Sequence, residues 1–255
     1  GKAYDCTVLS ARFILNRMKD PCEHLSHLDL VYAARRVWRK RLVNCRLATI
    51  EREILSFIRK DDIEGYVIPS IYFDYLKGGA AHRLTDVFRH NRWDILSLLI
   101  LAGKVAAVFQ DPETELKHMS DLFCISSSLE SCGASDKAAS CLKLAATLDS
   151  ASRLNTSINT RLALLYKRNR EWKEAVCLWE RMTETAHSGF HPYEELAKYH
   201  EHISRDLTAA EKIVKKALVR FNMRQELGYS LSPSVREEFQ YRLKRIMRKQ
   251  GMSSS

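Results

Sequence analysis

The chain has 255 residues, with 41 Lys/Arg against 31 Asp/Glu for a formal charge of +10, 45% hydrophobic residues, and only 9 Gly and 5 Pro. That length supports one large domain or two smaller ones with a core that needs no disulfide staples, and so few breakers favour helices. The longest apolar run, Ile95 to Gly103, is interrupted by Ser97 and closed by Lys104, well short of the roughly 20 residues a membrane span requires, so no transmembrane helix and no membrane partner are expected.

Seven cysteines without a CxxC pair predict reduced thiols and a cytoplasmic protein, and the opening GKAYD carries neither an initiator Met nor the basic and apolar regions of a secretory leader. The positive charge is concentrated. Ala34 to Lys60 holds nine Lys/Arg against two Glu, and Lys212 to Ser255 holds eleven against three, excesses of +7 and +8 that leave the remainder at 10 − 15 = −5. Two basic regions on a slightly acidic body fit a polyanionic partner, although solvated helix faces would give the same count at the carboxy-terminal one.

In chain order, Val8, Leu9, Phe13, Ile14 and Met18 have helical spacing, and Leu28 to Val31 reads as a short strand. DDIEGYVIPSIYFDYLKGG predicts a loop, then a helix with Pro69 near its first turn and Gly78 past its end. A long helix follows from Leu84 to about Gln110, where QDPE stops it. Between the short strand and that loop, ARRVWRKRLVNCRL combines Arg35, Arg36, Arg39, Lys40, Arg41 and Arg46 with Trp38. Guanidinium groups suit phosphate and an indole can stack on a base, so this is a candidate nucleic-acid surface; the alternative has Val37 and Trp38 packed inward beneath solvated arginines.

Everything after residue 110 predicts helices, and part of it repeats. Leu162 and Leu196 are 34 residues apart, as are Ala163 and Ala197, while Ala175 and Ala210 are 35 apart, which puts one inserted residue in the turn. Small alanines where helices cross, at the tetratricopeptide period, predict stacked helical hairpins over 111–255 that dock a protein partner or position substrate. SDKAASCLKLAATL, from Ser135, could end a degenerate earlier copy. SVREEFQYRLKRIMRKQ would be the capping helix, with Val235, Phe239, Leu243 and Met247 on one face. Trp172, Trp179, Tyr166 and Tyr199 are expected in the core of the array.

Within RHNRWDILSL, His90 and Asp94 lie one helical turn apart and can address a common point. A plain polar strip on a packed helix gives the same spacing. The apolar bulk around Asp94, however, makes its carboxylate costly unless it meets a cation or several donors. A divalent metal ion is one such partner, with the imidazole close enough to take a proton from water.

The blocks GKAYDCTVLSARF, HLDLVYAARRVWRKRLVNCRL, DDIEGYVIPSIYFDYLKGG and VFRHNRWDILSLL together resemble the YprB-type ribonuclease H-like domain, a branch of the DnaQ-like 3′ to 5′ exonuclease superfamily, whose members often carry tetratricopeptide repeats after the domain. The resemblance covers residues 1 to 110 and implies the carboxy-terminal part of an α/β nuclease domain. It implies a two-ion Mg²⁺ or Mn²⁺ site acting on single-stranded DNA or RNA, with Asp5 and Asp94 as metal ligands, His90 orienting or deprotonating the attacking water, and Asn91 as a polar neighbour. The family's first motif, Asp-x-Glu on a strand, does not precede Asp5, so the chain reads as an amino-terminal truncation with negligible nuclease activity of its own. A non-catalytic scaffold that binds protein or nucleic acid through its repeats is the competing reading.

Overall fold

The computed structural model describes residues 5–149, 152–185 and 188–251, except for the Asp5 side chain. The chain divides into two compact units, Gly1–Ala134 and Ser135–Ser255. Within the first unit two helices follow residue 110, the first packed on the long helix that ends there and the second on the helix at 30–38.

The first unit contains α1 (Asp5–Leu15), α2 (Leu30–Trp38), α3 (Leu47–Glu53), α4 (Ile68–Leu76), α5 (Leu84–Gln110), α6 (Pro112–Glu115) and α7 (Met119–Ser131). No strand is present among the described residues. The segment expected to be a strand at Leu28 to Val31 instead starts α2, because the Asp29 carboxylate accepts a hydrogen bond from the Val31 backbone N–H at 3.0 Å and caps the helix. Ala33, Ala34, Val37 and Trp38 form the buried face of α2, which packs on α7 and α5. Pro69 in the first turn of α4 and Gly78 past its end, in the left-handed region at φ +90°, bound that helix as the sequence predicts.

Helix α5 organises the unit. Ser97, Leu101, Val105 and Val108 make its inward row, and α2, α3, α4 and α6 pack against it. Asp111 and Pro112 end it and start α6, the Asp111 carboxylate accepting from the Thr114 N–H. Ile95, Leu99 and Ile100 lie on the outer side, Leu99 at 70% exposure. With the turn before it, α5 is the helix among the described residues that is long and apolar enough to cross a membrane by length and composition alone. Its first half nevertheless carries Asp86, Arg89, His90, Arg92 and Asp94.

The second unit is a run of helices, α8 (Ser135–Leu148), α9 (Arg153–Arg168), α10 (Trp172–Glu184), α11 (His191–His202), α12 (Leu207–Glu226) and α13 (Pro233–Lys249), each packed on the next. Fully buried alanines sit where they cross: Ala163, Ala175, Ala197, Ala210 and Ala217. The internal repetition extends to the backbone. Arg170 and Arg205 both adopt the left-handed conformation, at φ 62° and 57°, in the turns between α9 and α10 and between α11 and α12. The inserted residue lies in the second of those turns, between His202 and Leu207.

Trp179 and Tyr166 are buried, whereas Trp172 and Tyr199 pack ring against ring at 5.8 Å and keep part of their surface open. Helix α13 closes the unit through Phe239 and Ile246, with Val235 and Leu243 beside them, on a cluster of Tyr193, Ala197, Ala210, Val214 and Ala217. Ile246 therefore takes the buried place expected for Met247, since seven residues from Phe239 complete two turns more closely than eight.

Candidate functional site

Three segments of the first unit converge around one guanidinium. Helix α3 supplies Glu51, the loop after it supplies Arg59 and Asp62, and α5 supplies His90 and Asp94. Arg59 donates from Nε and Nη2 to both oxygens of Glu51 at 2.6 to 3.1 Å, from Nη1 to Asp62 Oδ2 at 3.0 Å, and from Nη2 to Asp94 Oδ1 at 2.6 Å. His90 Nδ1 lies 2.9 and 3.0 Å from the two oxygens of Asp62, and its Nε2 is 3.5 Å from Asp94 Oδ2. One helical turn thus does bring the imidazole and the Asp94 carboxylate to a common point. What meets them there is Arg59.

The loop that presents Arg59 is bent on both sides of it. Ser56 and Asp61 occupy the left-handed region at φ 53° and 54°, which side chains other than glycine adopt at a cost and keep only when surrounding contacts fix them. Phe57 N–H donates to Glu51 O at 2.8 Å, the Phe57 ring packs on Trp93 at 5.1 Å, and Arg89 Nη1 reaches Asp61 O at 3.3 Å. These contacts lock the loop onto α3 and α5. Trp93 Nε1 is buried without a hydrogen-bond partner among the described residues.

The electrostatics follow from burial and pairing. Burial opposes the charged form of Arg59, yet its bonds to Glu51, Asp94 and Asp62 outweigh that and drive its pKa further up. Burial likewise works against the Asp62 carboxylate, but the bonds from Arg59 and His90 hold it below the usual range. Counting Arg59 against Glu51, Asp62 and Asp94, the cluster keeps a charge of −2 with a neutral imidazole. Glu51 is enclosed, while Asp94 is 36% exposed and forms the cluster's open edge.

Among the described residues no three His, Cys, Asp or Glu side chains are placed to hold a metal ion. The donor set does not fit the two-ion site expected from the sequence, because Arg59 takes Asp94 Oδ1 and both Glu51 oxygens. The side chain of Asp5, the other expected ligand, lies outside the described residues. Asn91 is exposed on α5. Glu51, Arg59 and Asp62 were not singled out from the sequence; Arg59 lies within the basic run, and its partners sit 8, 3 and 35 residues away, a pairing no periodicity reveals.

The expected nucleic-acid surface divides. Trp38 is 1% exposed and packed in the core of its unit, so it is not available to stack on a base. Arg41 donates from Nε to Asp121 Oδ2 at 2.7 Å, and Asp121 is buried on α7; this arginine anchors α2 to α7. Burial pushes the Asp121 carboxyl up and Arg41 opposes the shift only in part. Arg35, Arg36, Arg39, Lys40 and Arg46 remain exposed. Arg35 and Arg46 line one cavity of about 720 Å³ together with Asp29, Asn44 and Leu98.

Residues 1–106 match the family model of the RNase H superfamily. Over 252 residues the chain is 28% identical to protein YprB of Bacillus subtilis (strain 168), an alignment that takes in 98% of this chain and 59% of that protein. The chain therefore spans somewhat under two thirds of the length of the curated relative it matches. No solved structure matches the chain at a significant level. Residues 1–106 are thus similar to RNase H-superfamily domains, and the exposed basic side chains of α2 and of the segment after it lie within that match.

Proposed function

We propose that the first unit belongs to a metal-dependent 3′ to 5′ exonuclease acting on single-stranded DNA or RNA, in which Asp94 and His90 form one edge of the catalytic centre. The observation that carries this reading is the placement of Asp94: a half-exposed carboxylate, fixed by a buried network, on a segment that matches the RNase H superfamily. Mg²⁺ or Mn²⁺ dependence is part of the proposal and requires Arg59 to give up Asp94 Oδ1, which it holds at 2.6 Å. The further carboxylates such a site needs would come from residues other than those of the Arg59 cluster, with Asp5 as one ligand. The exposed apolar side chains Ile95, Leu99 and Ile100 of α5 would be covered by the remainder of that nuclease domain, not by lipid. The second unit would be a tetratricopeptide-like array that docks a protein partner or guides substrate, and the protein would work in the cytoplasm.

The test is Mn²⁺-dependent degradation of labelled single-stranded DNA and RNA. The 255-residue chain is expected to give negligible cleavage while Arg59 holds Asp94, and a polypeptide extended to the length of the YprB relative is expected to cleave and to lose activity in Asp94→Asn. Robust cleavage by the 255-residue chain that Asp94→Ala abolishes would overturn the incomplete site. Cleavage by the longer polypeptide that ignores Asp94→Asn would overturn the role of Asp94.

One observation favours a second reading, a non-catalytic scaffold: the 2.6 Å bond between Arg59 and Asp94 already satisfies the carboxylate within the fold. In that case the cluster only fixes α3 and the loop on α5, and no added carboxylate would confer Mn²⁺ binding.

A further inference from the structure

In the second unit, α9, α10, α11 and α13 enclose a cavity of about 350 Å³ whose walls include Lys167, Trp172, Lys198, Tyr199, Arg242 and Arg245. Two enclosed carboxylates hold its cations, and the partly exposed Glu194 also pairs with Lys198, at 2.7 Å. Glu201, whose side chain is fully buried, accepts from Arg242 Nη1 at 3.1 Å, from Arg245 Nε and Nη2 at 2.9 and 2.6 Å, and from Lys249 Nζ at 2.7 Å. Glu195 accepts from Lys167 and from Lys198, the latter at 3.1 Å.

One carboxylate against three cations at Glu201 leaves a surplus of two positive charges. The buried acid orients the basic groups without neutralising them. Among the described residues Arg242 gives only Nη1 to Glu201, so Nε and Nη2 are left for a ligand. In the same lining, Trp172 and Tyr199 are two adjacent rings that keep part of their surface open. A fork of free guanidinium donors suits a phosphate, and an aromatic wall suits a flat heterocycle. An acidic peptide would use the cations and leave the rings without a flat partner.

We propose that this cavity binds one nucleotide unit of single-stranded nucleic acid, with a phosphate on Arg242 and a base against Trp172 or Tyr199. The site lies outside the segment that matches the RNase H superfamily and requires no cleavage, so it stands or falls separately from the nuclease reading.

The experiment is fluorescence anisotropy of labelled octauridylate and octathymidylate with the full chain over a KCl series, in parallel with a labelled octaglutamate. Trp172→Leu is expected to weaken oligonucleotide binding by about 5-fold to 150-fold, the factor that corresponds to loss of one base stack, while Trp172→Phe retains it. Arg242→Gln is expected to lower the salt slope by about 0.7, the value for one lost phosphate contact on a single strand. Because Arg242 also touches Glu201, Tyr199→Leu against Tyr199→Phe repeats the aromatic test away from that cluster. An octauridylate carrying 4-thiouridine should crosslink to peptides containing Trp172 or Tyr199. Unchanged affinity in both leucine variants, crosslinks confined to the first unit, or octaglutamate that binds more tightly than either oligonucleotide would each overturn the proposal.

Discussion

Arg59→Met removes the guanidinium on which Glu51, Asp62 and Asp94 converge and leaves a methylene stem of similar length. The Glu51 side chain is 2% exposed and that of Arg59 10%, so the pair is shielded from water and its rupture strands a buried carboxylate. Breaking such a pair from one side costs about 3–5 kcal/mol. Asp62 keeps His90 and Asp94 is partly solvated, so the lower end, about 3 kcal/mol, applies. For a unit of this size that lowers the melting midpoint by roughly 12 °C, at about 4 °C per kcal/mol.

The pH dependence separates this cause from simple loss of packing. In the parent chain the depressed Asp62 carboxyl adds stability that is present above its ordinary value of 3.8 and lost as pH falls below it. In the variant Asp62 loses the bond from Arg59 and with it part of that contribution, so the deficit against the parent should narrow between pH 7 and about pH 3. Thermal melts followed by circular dichroism at the two pH values measure both quantities. A deficit of equal size at pH 7 and about pH 3, or no deficit at pH 7, refutes the account of a charge-compensated buried cluster.

Three further outcomes follow from other contacts. Glu201→Gln should destabilise the second unit by about 2–4 kcal/mol at pH 7, because burial opposes its charge but Arg245 and Lys249 hold the carboxyl at about 2; that contribution is present above pH 4.5 and fades towards pH 2, as a urea titration across pH would register. Ala210→Leu, at a fully buried helix crossing, should cost about 1–3 kcal/mol through overpacking, whereas the same exchange at half-buried Ala209 should cost less; equal melting temperatures would contradict the packing. Replacing Arg36, Arg39 and Lys40 by Glu should weaken nucleic-acid binding and flatten its salt dependence with little change in stability, while Arg41→Gln should chiefly lower stability by exposing Asp121 to an uncompensated burial; the reverse pattern would reassign the two groups.

Local sequence rules carried far along this chain. Pro69, Gly78 and the QDPE stop bounded α4 and α5 because capping and breaking act through neighbouring residues, and the spacing of Ala163, Ala175, Ala197 and Ala210 marked the helix crossings because a small side chain is required wherever two backbones approach. The repeat even located its inserted residue in a turn. Helical geometry also placed His90 and Asp94 on one face. The same rules misread Leu28 to Val31, where a short apolar run outweighed a single capping carboxylate at Asp29.

Tertiary contacts decided the rest. Whether Asp94 would meet a metal ion or a protein cation depended on Arg59, brought in by a loop held between two left-handed residues, and nothing in the spacing of 35 residues encodes that meeting. The basic run around Trp38 likewise read as one surface, yet burial withdrew the indole and Asp121, 80 residues away, claimed Arg41. Periodicity fixes which face of an element a residue occupies; which partner that face finds is set by long-range packing, and there the chemistry of both units is determined.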